Sequence, residues 1–260
     1  MKITTTGLVL REMDIGESDK LINILTEDRG IISVISPNAK RLRMKNSGSL
    51  QMFYYCDLTL FKGRKGYIVD EVEIKERFEN LKYDMEKFSL AEYFCEVALV
   101  LSPREGESRD FLRLILNCLY FLLKDKMDMY LIKSVLELRI CCLAGYMPNL
   151  IGCIGCKEYK CEKLYFDITN SFLICSDCLK NNNSSYNLIL ISSGILDAMR
   201  HIVYSKFDKL FLFKISDCSI NLLSPICEKY VDEHVDYKFK SLNFFKSLNN
   251  YAFEVRKKYE

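Results

Sequence analysis

Ile3-Thr-Thr-Thr-Gly-Leu-Val-Leu-Arg11, Gly30-Ile-Ile-Ser-Val-Ile-Ser36, Gln51-Met-Phe-Tyr-Tyr-Cys-Asp-Leu-Thr-Leu-Phe61 and Tyr67-Ile-Val-Asp-Glu-Val-Glu-Ile74 are short runs rich in β-branched and aromatic residues. Turn-forming stretches separate them: Asp14-Ile-Gly-Glu-Ser-Asp19, Glu27-Asp-Arg-Gly30, Pro37-Asn-Ala39 and Lys62-Gly-Arg-Lys-Gly66. Such runs read as strands. With Lys20–Leu25 they make five strands within the first 80 residues. Five short strands predict a small closed barrel, because closure removes the unpaired edges that an open sheet would expose.

Beyond Tyr83 the hydrophobic period changes to that of a helix. Met85–Leu101, Ser108–Lys124 and Met129–Gly145 are predicted helices, the second apolar nearly all round and expected at the centre of the core. Gly145 and Pro148 end the third. Further helices are predicted over Ser192–Ser205 and within Asn221–His234 and Ser241–Lys257. The expected fold class is α+β and multidomain: an OB-fold-like barrel over 1–80, a helical domain over 81–150 and 184–260, and an inserted zinc-finger-like module over 151–183.

That module is marked by Cys153-Ile-Gly-Cys156 and Cys175-Ser-Asp-Cys178, separated by 18 residues. Two C-x2-C knuckles at this separation are the spacing of a four-thiolate zinc site, since each knuckle aims two sulfurs at one point and Zn²⁺ takes four tetrahedrally. Leu164–Ile168 and Phe172–Ile174 are predicted to form the hairpin that returns the second knuckle to the first. A thioredoxin-like pair would sit at a strand-to-helix junction in a βαβ unit, a context that knuckles flanking a hairpin do not match. Cys161 is a spare thiol in the intervening loop and could replace Cys156 as a ligand. Four thiolates leave no open position for catalysis, and Glu158, Glu162, Asp167 and Asp177 offset Lys157, Lys160 and Lys163. The expected role is therefore one structural Zn²⁺. The other seven cysteines, Cys56, Cys95, Cys118, Cys141, Cys142, Cys218 and Cys227, read as reduced side chains of a chain kept in a reducing compartment.

The formal net charge is only +2 over 260 residues, so partners must be sought in the distribution of charge. Between Lys40 and Gly66 stand Lys40, Arg41, Arg43, Lys45, Lys62, Arg64 and Lys65 against Asp57 alone. These cations fall in two clusters flanking the Gln51–Phe61 strand, with Phe53, Tyr54, Tyr55, Phe61 and Tyr67 between them. Flat rings beside a positive groove suit single-stranded nucleic acid, whose bases stack and whose phosphates pair. Strand alternation requires about half of those rings to face the core. The DNA-contact candidates are the seven cations with Tyr54, Tyr55 and Tyr67.

Phosphate-loop, dinucleotide, zinc-protease and serine-hydrolase motifs are absent from the sequence, and His201 and His234 have no ligand-spaced partner. The expectation is a binding protein without catalytic residues. The longest apolar stretch, Phe111–Leu123, spans 13 residues and includes Arg113 and Asn117, so no membrane span and a cytoplasmic location are expected.

Gly7-Leu-Val-Leu-Arg11, Gly16-Glu-Ser-Asp-Lys20 and Leu25-Thr-Glu-Asp-Arg-Gly-Ile-Ile-Ser33 closely resemble the opening of the bacterial RecO family of recombination mediators. Ala39-Lys-Arg41, Ser47 and Leu50-Gln-Met-Phe53 resemble the stretch that follows in that family, and Lys240-Ser-Leu-Asn-Phe-Phe245 resembles its closing segment. The chain departs from the family where a small residue or glycine is usual near position 38 and Pro37-Asn38 stands here. The resemblance implies an OB-fold joined to a helical domain with a zinc-finger-like element, and a nucleoid-associated role in DNA repair and homologous recombination. It further implies binding of single- and double-stranded DNA, annealing of complementary strands, and help in loading the RecA recombinase on DNA coated with single-strand-binding protein. The partners it implies are RecR and the acidic C-terminal tail of single-strand-binding protein. The alternative reading is a zinc-stabilised protein-interaction scaffold without direct DNA binding, which would give no gel shift with oligonucleotides.

Overall fold

In a computed structural model, residues 2–37, 50–63, 66–180 and 187–248 are described, and they divide between two compact units. The first holds Met1–Lys126 and Phe239–Glu260, and the second Met127–Lys238.

In the first unit five strands, β1 (Lys2–Ile15), β2 (Asp19–Thr26), β3 (Ile31–Ser36), β4 (Tyr54–Gly63) and β5 (Gly66–Arg77), close into a barrel of order β1-β2-β3-β5-β4. Only the β3–β5 seam is parallel, with Val34 opposite Tyr67 and Ile35 opposite Ile68. This is the OB-fold arrangement expected from the strand runs. Along β4 the side chains of Tyr54, Cys56, Leu58 and Leu60 are buried while Tyr55, Asp57 and Thr59 alternate outward. Ile3, Val9, Ile22, Ile24, Ile32 and Val34 join them in the barrel core, and Tyr67, Val69, Val72 and Ile74 of β5 pack against it.

After a single 3-10 turn, α1 (Met85–Leu101) starts at Asp84, whose carboxylate accepts from the amides of Glu86 and Lys87. That bond satisfies two of the amides left free at a helix start. α2 (Arg109–Leu123) starts at Ser108, but the Ser108 hydroxyl donates instead to the Thr26 carbonyl at the end of β2, 2.6 Å away. A helical stretch over 240–248 closes the described part of this unit. Phe239, just before it, stands edge-on to Tyr93 of α1 at 5.4 Å.

The second unit contains α3 (Met129–Leu143), β6 (Asn149–Cys153), β7 (Leu164–Asp167), β8 (Phe172–Cys175), the short α4 (Ser176–Lys180), β9 (Leu188–Ile191), α5 (Ser193–Tyr204) and α6 (Asp217–His234). The strands form one sheet of order β6-β8-β7-β9. The β7–β8 hairpin is the one expected from the sequence, whereas β6 and β9 were not anticipated.

The expectation of α2 as the central helix is corrected. Arg109, Asp110, Arg113 and Tyr120 keep one side of α2 exposed, whereas every residue from Leu131 to Leu138 of α3 is buried. The reason is electrostatic. Lys133 and Glu137, one turn apart and 2.8 Å from each other, neutralise one another inside, and Glu228 of α6 closes on Lys133 at 2.9 Å. Charges so paired can be carried into a core that an unpaired charge could not enter. Among the described residues no helix is long and apolar enough to cross a membrane.

Candidate metal centre and nucleic-acid interface

The metal centre follows from the sheet order. β6 and β8 are parallel neighbours, so their C-terminal ends lie at the same edge of the sheet. Cys153 ends β6 and Cys175 ends β8, and each knuckle turns from there. The first turn is closed by the Lys157 amide on the Cys153 carbonyl at 2.9 Å, and the Cys153 amide donates to the Glu158 carbonyl at 3.0 Å. Lys157 completes this turn in the left-handed region, with φ 65°. As a result the sulfurs of Cys153, Cys156, Cys175 and Cys178 all lie within 4.8 Å of one another.

Two glycines make this convergence possible by having no side chain. A Cβ on Gly155 would stand 2.8 Å from the Cys178 sulfur, and one on Gly152 would stand 2.8 Å from the Glu158 carbonyl oxygen. Both are closer than real Cβ contacts. The two bare backbones let the first knuckle fold under itself and against the second.

The donor set fits a thiophilic cation. The Cys175 amide donates to the Cys153 sulfur at 3.3 Å and the Cys178 amide to the Cys175 sulfur at 3.4 Å. Burial opposes ionisation of Cys153, but amides of Cys175, Cys156 and Gly155, with the Cys156 thiol, bring it down to about 6. Cys178 is pushed up to about 12, first by its hydrogen bonds to Cys175 and Cys153. One thiolate held by amides thus resists further ionisation beside it, and a divalent cation is what allows all four to ionise together. Cys161 lies outside this foursome. It is half-buried and pushed up to about 11 by burial and by the neighbouring Cys175 and Cys156 sulfurs.

Of the DNA-contact candidates, Lys40, Arg41, Arg43, Lys45, Arg64 and Lys65 lie outside the described residues. Lys62, exposed at the end of β4, is directly opposite Tyr67 of β5. Tyr67 is half-buried against the barrel core. Tyr55 faces outward, with the Lys75 ammonium 5.6 Å from its ring centre. Tyr54 is a core ring, only 4% exposed. Its hydroxyl donates to Glu79 at 2.7 Å, and burial followed by that carboxylate pushes it up to about 12. Phe61, not among the candidate contacts, is 45% exposed and paired across the strands with the exposed Ile68. Its parity on β4, opposite to that of Leu58 and Leu60, is the signal that reveals it.

Beside Tyr67, β5 runs parallel to β3. Val34 is level with Tyr67, so Gly66 is level with Ser33. β3 ends at Ser36, three residues further on, which is about 10 Å at the rise of a strand.

The first unit is thus a closed five-stranded barrel of the OB type, and the second bears a four-cysteine cluster that could hold a metal ion. Residues 1–78 match the family model described as recombination protein O N terminal, and residues 82–243 match recombination protein O C terminal. The chain belongs to the RecO family of DNA repair proteins. It is similar to the DNA repair protein RecO of Acetivibrio thermocellus, 29% identical over 247 residues that cover 95% of this chain and 97% of the relative. The DNA repair protein RecO of Alkaliphilus metalliredigens is 26% identical over 249 residues, 95% of this chain and all of the relative.

Proposed function

We propose that this chain is a non-catalytic recombination mediator. It binds single- and double-stranded DNA through the barrel, anneals complementary strands, and helps load RecA recombinase on DNA coated with single-strand-binding protein. Its partners are RecR and the acidic C-terminal tail of single-strand-binding protein, as family membership implies. The observation that supports the DNA-binding part is the exposed Lys62, directly opposite Tyr67 across β4 and β5 and next to the outward-facing ring of Phe61. Lys40, Arg41, Arg43, Lys45, Lys62, Arg64 and Lys65 neutralise phosphates, and Tyr55, Tyr67 and the exposed Phe61 offer rings to bases. Tyr54 supports the barrel from inside. Annealing follows from neutralising two strands held close together, with no bond made or broken by the protein and no ATP consumed.

The metal is one structural Zn²⁺ held by Cys153, Cys156, Cys175 and Cys178. Four thiolates around Zn²⁺ leave no position for a reacting water, so the ion cross-links the ends of β6 and β8. The test is fluorescence-detected annealing of complementary oligonucleotides coated with single-strand-binding protein. The expected result is accelerated annealing independent of ATP. Absence of acceleration together with absence of a gel shift would favour the interaction-scaffold reading instead.

A further inference from the structure

In the order β6-β8-β7-β9, β6 is an edge strand among the described residues, and side chains of α5 cover its outer edge. The Leu150 amide donates to the Tyr204 hydroxyl at 2.9 Å, and the Leu150 carbonyl accepts from Arg200 Nε at 2.7 Å. Tyr204 in turn donates to the Pro148 carbonyl at 3.3 Å. Positions 200 and 204 are one helical turn apart, so both side chains leave the same face of α5. They satisfy edge groups that another strand would otherwise have to pair. Arg200 reaches further. Its Nη2 donates to the Ile151 carbonyl at 3.0 Å and to the Tyr159 carbonyl at 3.4 Å, and its guanidinium lies 3.9 Å from the centre of the Tyr159 ring. Ile151 precedes the knuckle of Cys153 and Cys156, and Tyr159 follows it. One nitrogen therefore joins the strand that enters the knuckle to the segment that leaves it. Inside this clip the Cys153 amide donates to the Glu158 carbonyl at 3.0 Å. The Arg200 side chain is only 12% exposed, and the exposed Asp197 carboxylate stands 3.7 Å from Nη1.

We propose that Arg200 is a positioning residue of the metal centre, a clip that holds the first knuckle closed so that the Cys153 and Cys156 sulfurs are aimed before the ion arrives. This rests on the zinc reading above. Three carbonyls on two segments of chain have to be met at once. A guanidinium does this with a rigid fork of N–H groups, whereas an ammonium is a point charge on a flexible stem. Hydrogen bonds from a charged donor are also stronger than those between neutral groups. The Tyr159 ring receives the face of the guanidinium and fixes its plane. A ligand pair held in place beforehand loses less freedom when the ion enters. Groups that orient metal ligands without touching the metal are worth about ten- to a hundredfold in affinity. Because the carbonyls that Arg200 holds flank the first knuckle, its loss loosens 149–160 and spares the second knuckle over 172–178.

The experiment compares full-length variants by zinc affinity, from chelator competition, and by hydrogen exchange over 149–160 and 172–178, read by mass spectrometry. Arg200→Ala is expected to bind zinc about tenfold more weakly or worse, with faster exchange over 149–160 and wild-type exchange over 172–178. Arg200→Lys keeps the charge without the fork and is expected to recover at most part of the loss. Tyr159→Phe keeps both the ring and the carbonyl and is expected to match the wild type. Wild-type zinc affinity in Arg200→Ala overturns the proposal. So does equal acceleration of exchange over both segments, which would make Arg200 a general support of the second unit. Full recovery by Arg200→Lys also overturns it, since charge alone would then account for the effect. Should Arg200→Ala fail to fold, Tyr159→Ala carries the test: several-fold weaker zinc binding is expected, and unchanged affinity with unchanged exchange overturns the clip. A wild-type chain purified without zinc overturns the metal reading itself, and the exchange comparison between the metal-free wild type and Arg200→Ala still tests the clip.

Discussion

Replacing Lys133 by methionine would take the ammonium out of the buried cluster that it forms with Glu137 and Glu228. Lys133 is 2% exposed and Glu137 0%, with Nζ 2.8 Å from Glu137 and 2.9 Å from Glu228. Methionine keeps the bulk of the lysine stem but leaves the carboxylates facing one another. Removing one partner of a buried ion pair costs about 3–5 kcal/mol, because the charge left behind stays desolvated. For a chain of this size that is on the order of 10 °C in Tm. The sign of the pH dependence follows from the same groups. Burial works against the Lys133 ammonium, but Glu137 and Glu228 outweigh it and hold its pKa above the ordinary lysine value. A raised ammonium contributes fully below the lysine range and is lost only at more alkaline pH, so the wild-type contribution is flat between about pH 5 and 8. In Lys133→Met the loss of the ammonium favours the neutral forms of Glu137 and Glu228, and protonation relieves them. The deficit is therefore largest near neutrality and narrows as pH falls toward about 5. Differential scanning calorimetry at both pH values measures this. The triple variant Lys133→Met, Glu137→Leu, Glu228→Leu should recover most of the loss, since apolar replacement of a whole buried cluster is close to neutral. A deficit for Lys133→Met below about 1 kcal/mol, or one independent of pH, refutes the reasoning.

Gly155→Ala would place a Cβ 2.8 Å from the Cys178 sulfur, and zinc affinity by chelator competition should fall about tenfold or more with the barrel unaffected. Tyr54→Phe should cost about 1–2 kcal/mol of stability by removing the bond to Glu79, and it should leave DNA affinity unchanged by fluorescence anisotropy. Phe61→Ala, at an exposed ring, should do the opposite: little change in melting temperature and a loss of about 1–3 kcal/mol in single-strand binding.

The barrel was legible because its strands alternate. Tyr54, Cys56, Leu58 and Leu60 turn inward as a period of two demands. The phase at Tyr54-Tyr55 was not legible, since two adjacent tyrosines satisfy either register and only pairing with β1 and β5 decides between them. α1 was read at its observed limits, Met85–Leu101, because its apolar spacing is sustained and Asp84 marks its start. The full burial of α3 is not legible locally, because Lys133 and Glu137 resemble an exposed pair one turn apart and the partner that joins them inside, Glu228, lies far along the chain. β6 and β9 are runs of only four or five residues, too short for periodicity to distinguish from loop. The four metal-cluster cysteines could be read from spacing alone, because a knuckle is a local structure. The contribution of Gly155 depends on contact with the second knuckle and could not be read locally.

The central claim is that the barrel grips unpaired polynucleotide through cations grouped on one side, and the salt dependence of single-strand binding by the full chain tests it most directly. If about six phosphates are neutralised, log K against log salt should have a slope near −4, and replacing Lys40, Arg41 and Arg43 together by alanine should flatten it by about 2. A slope that the triple replacement leaves unchanged would place the DNA elsewhere on the protein and contradict the account.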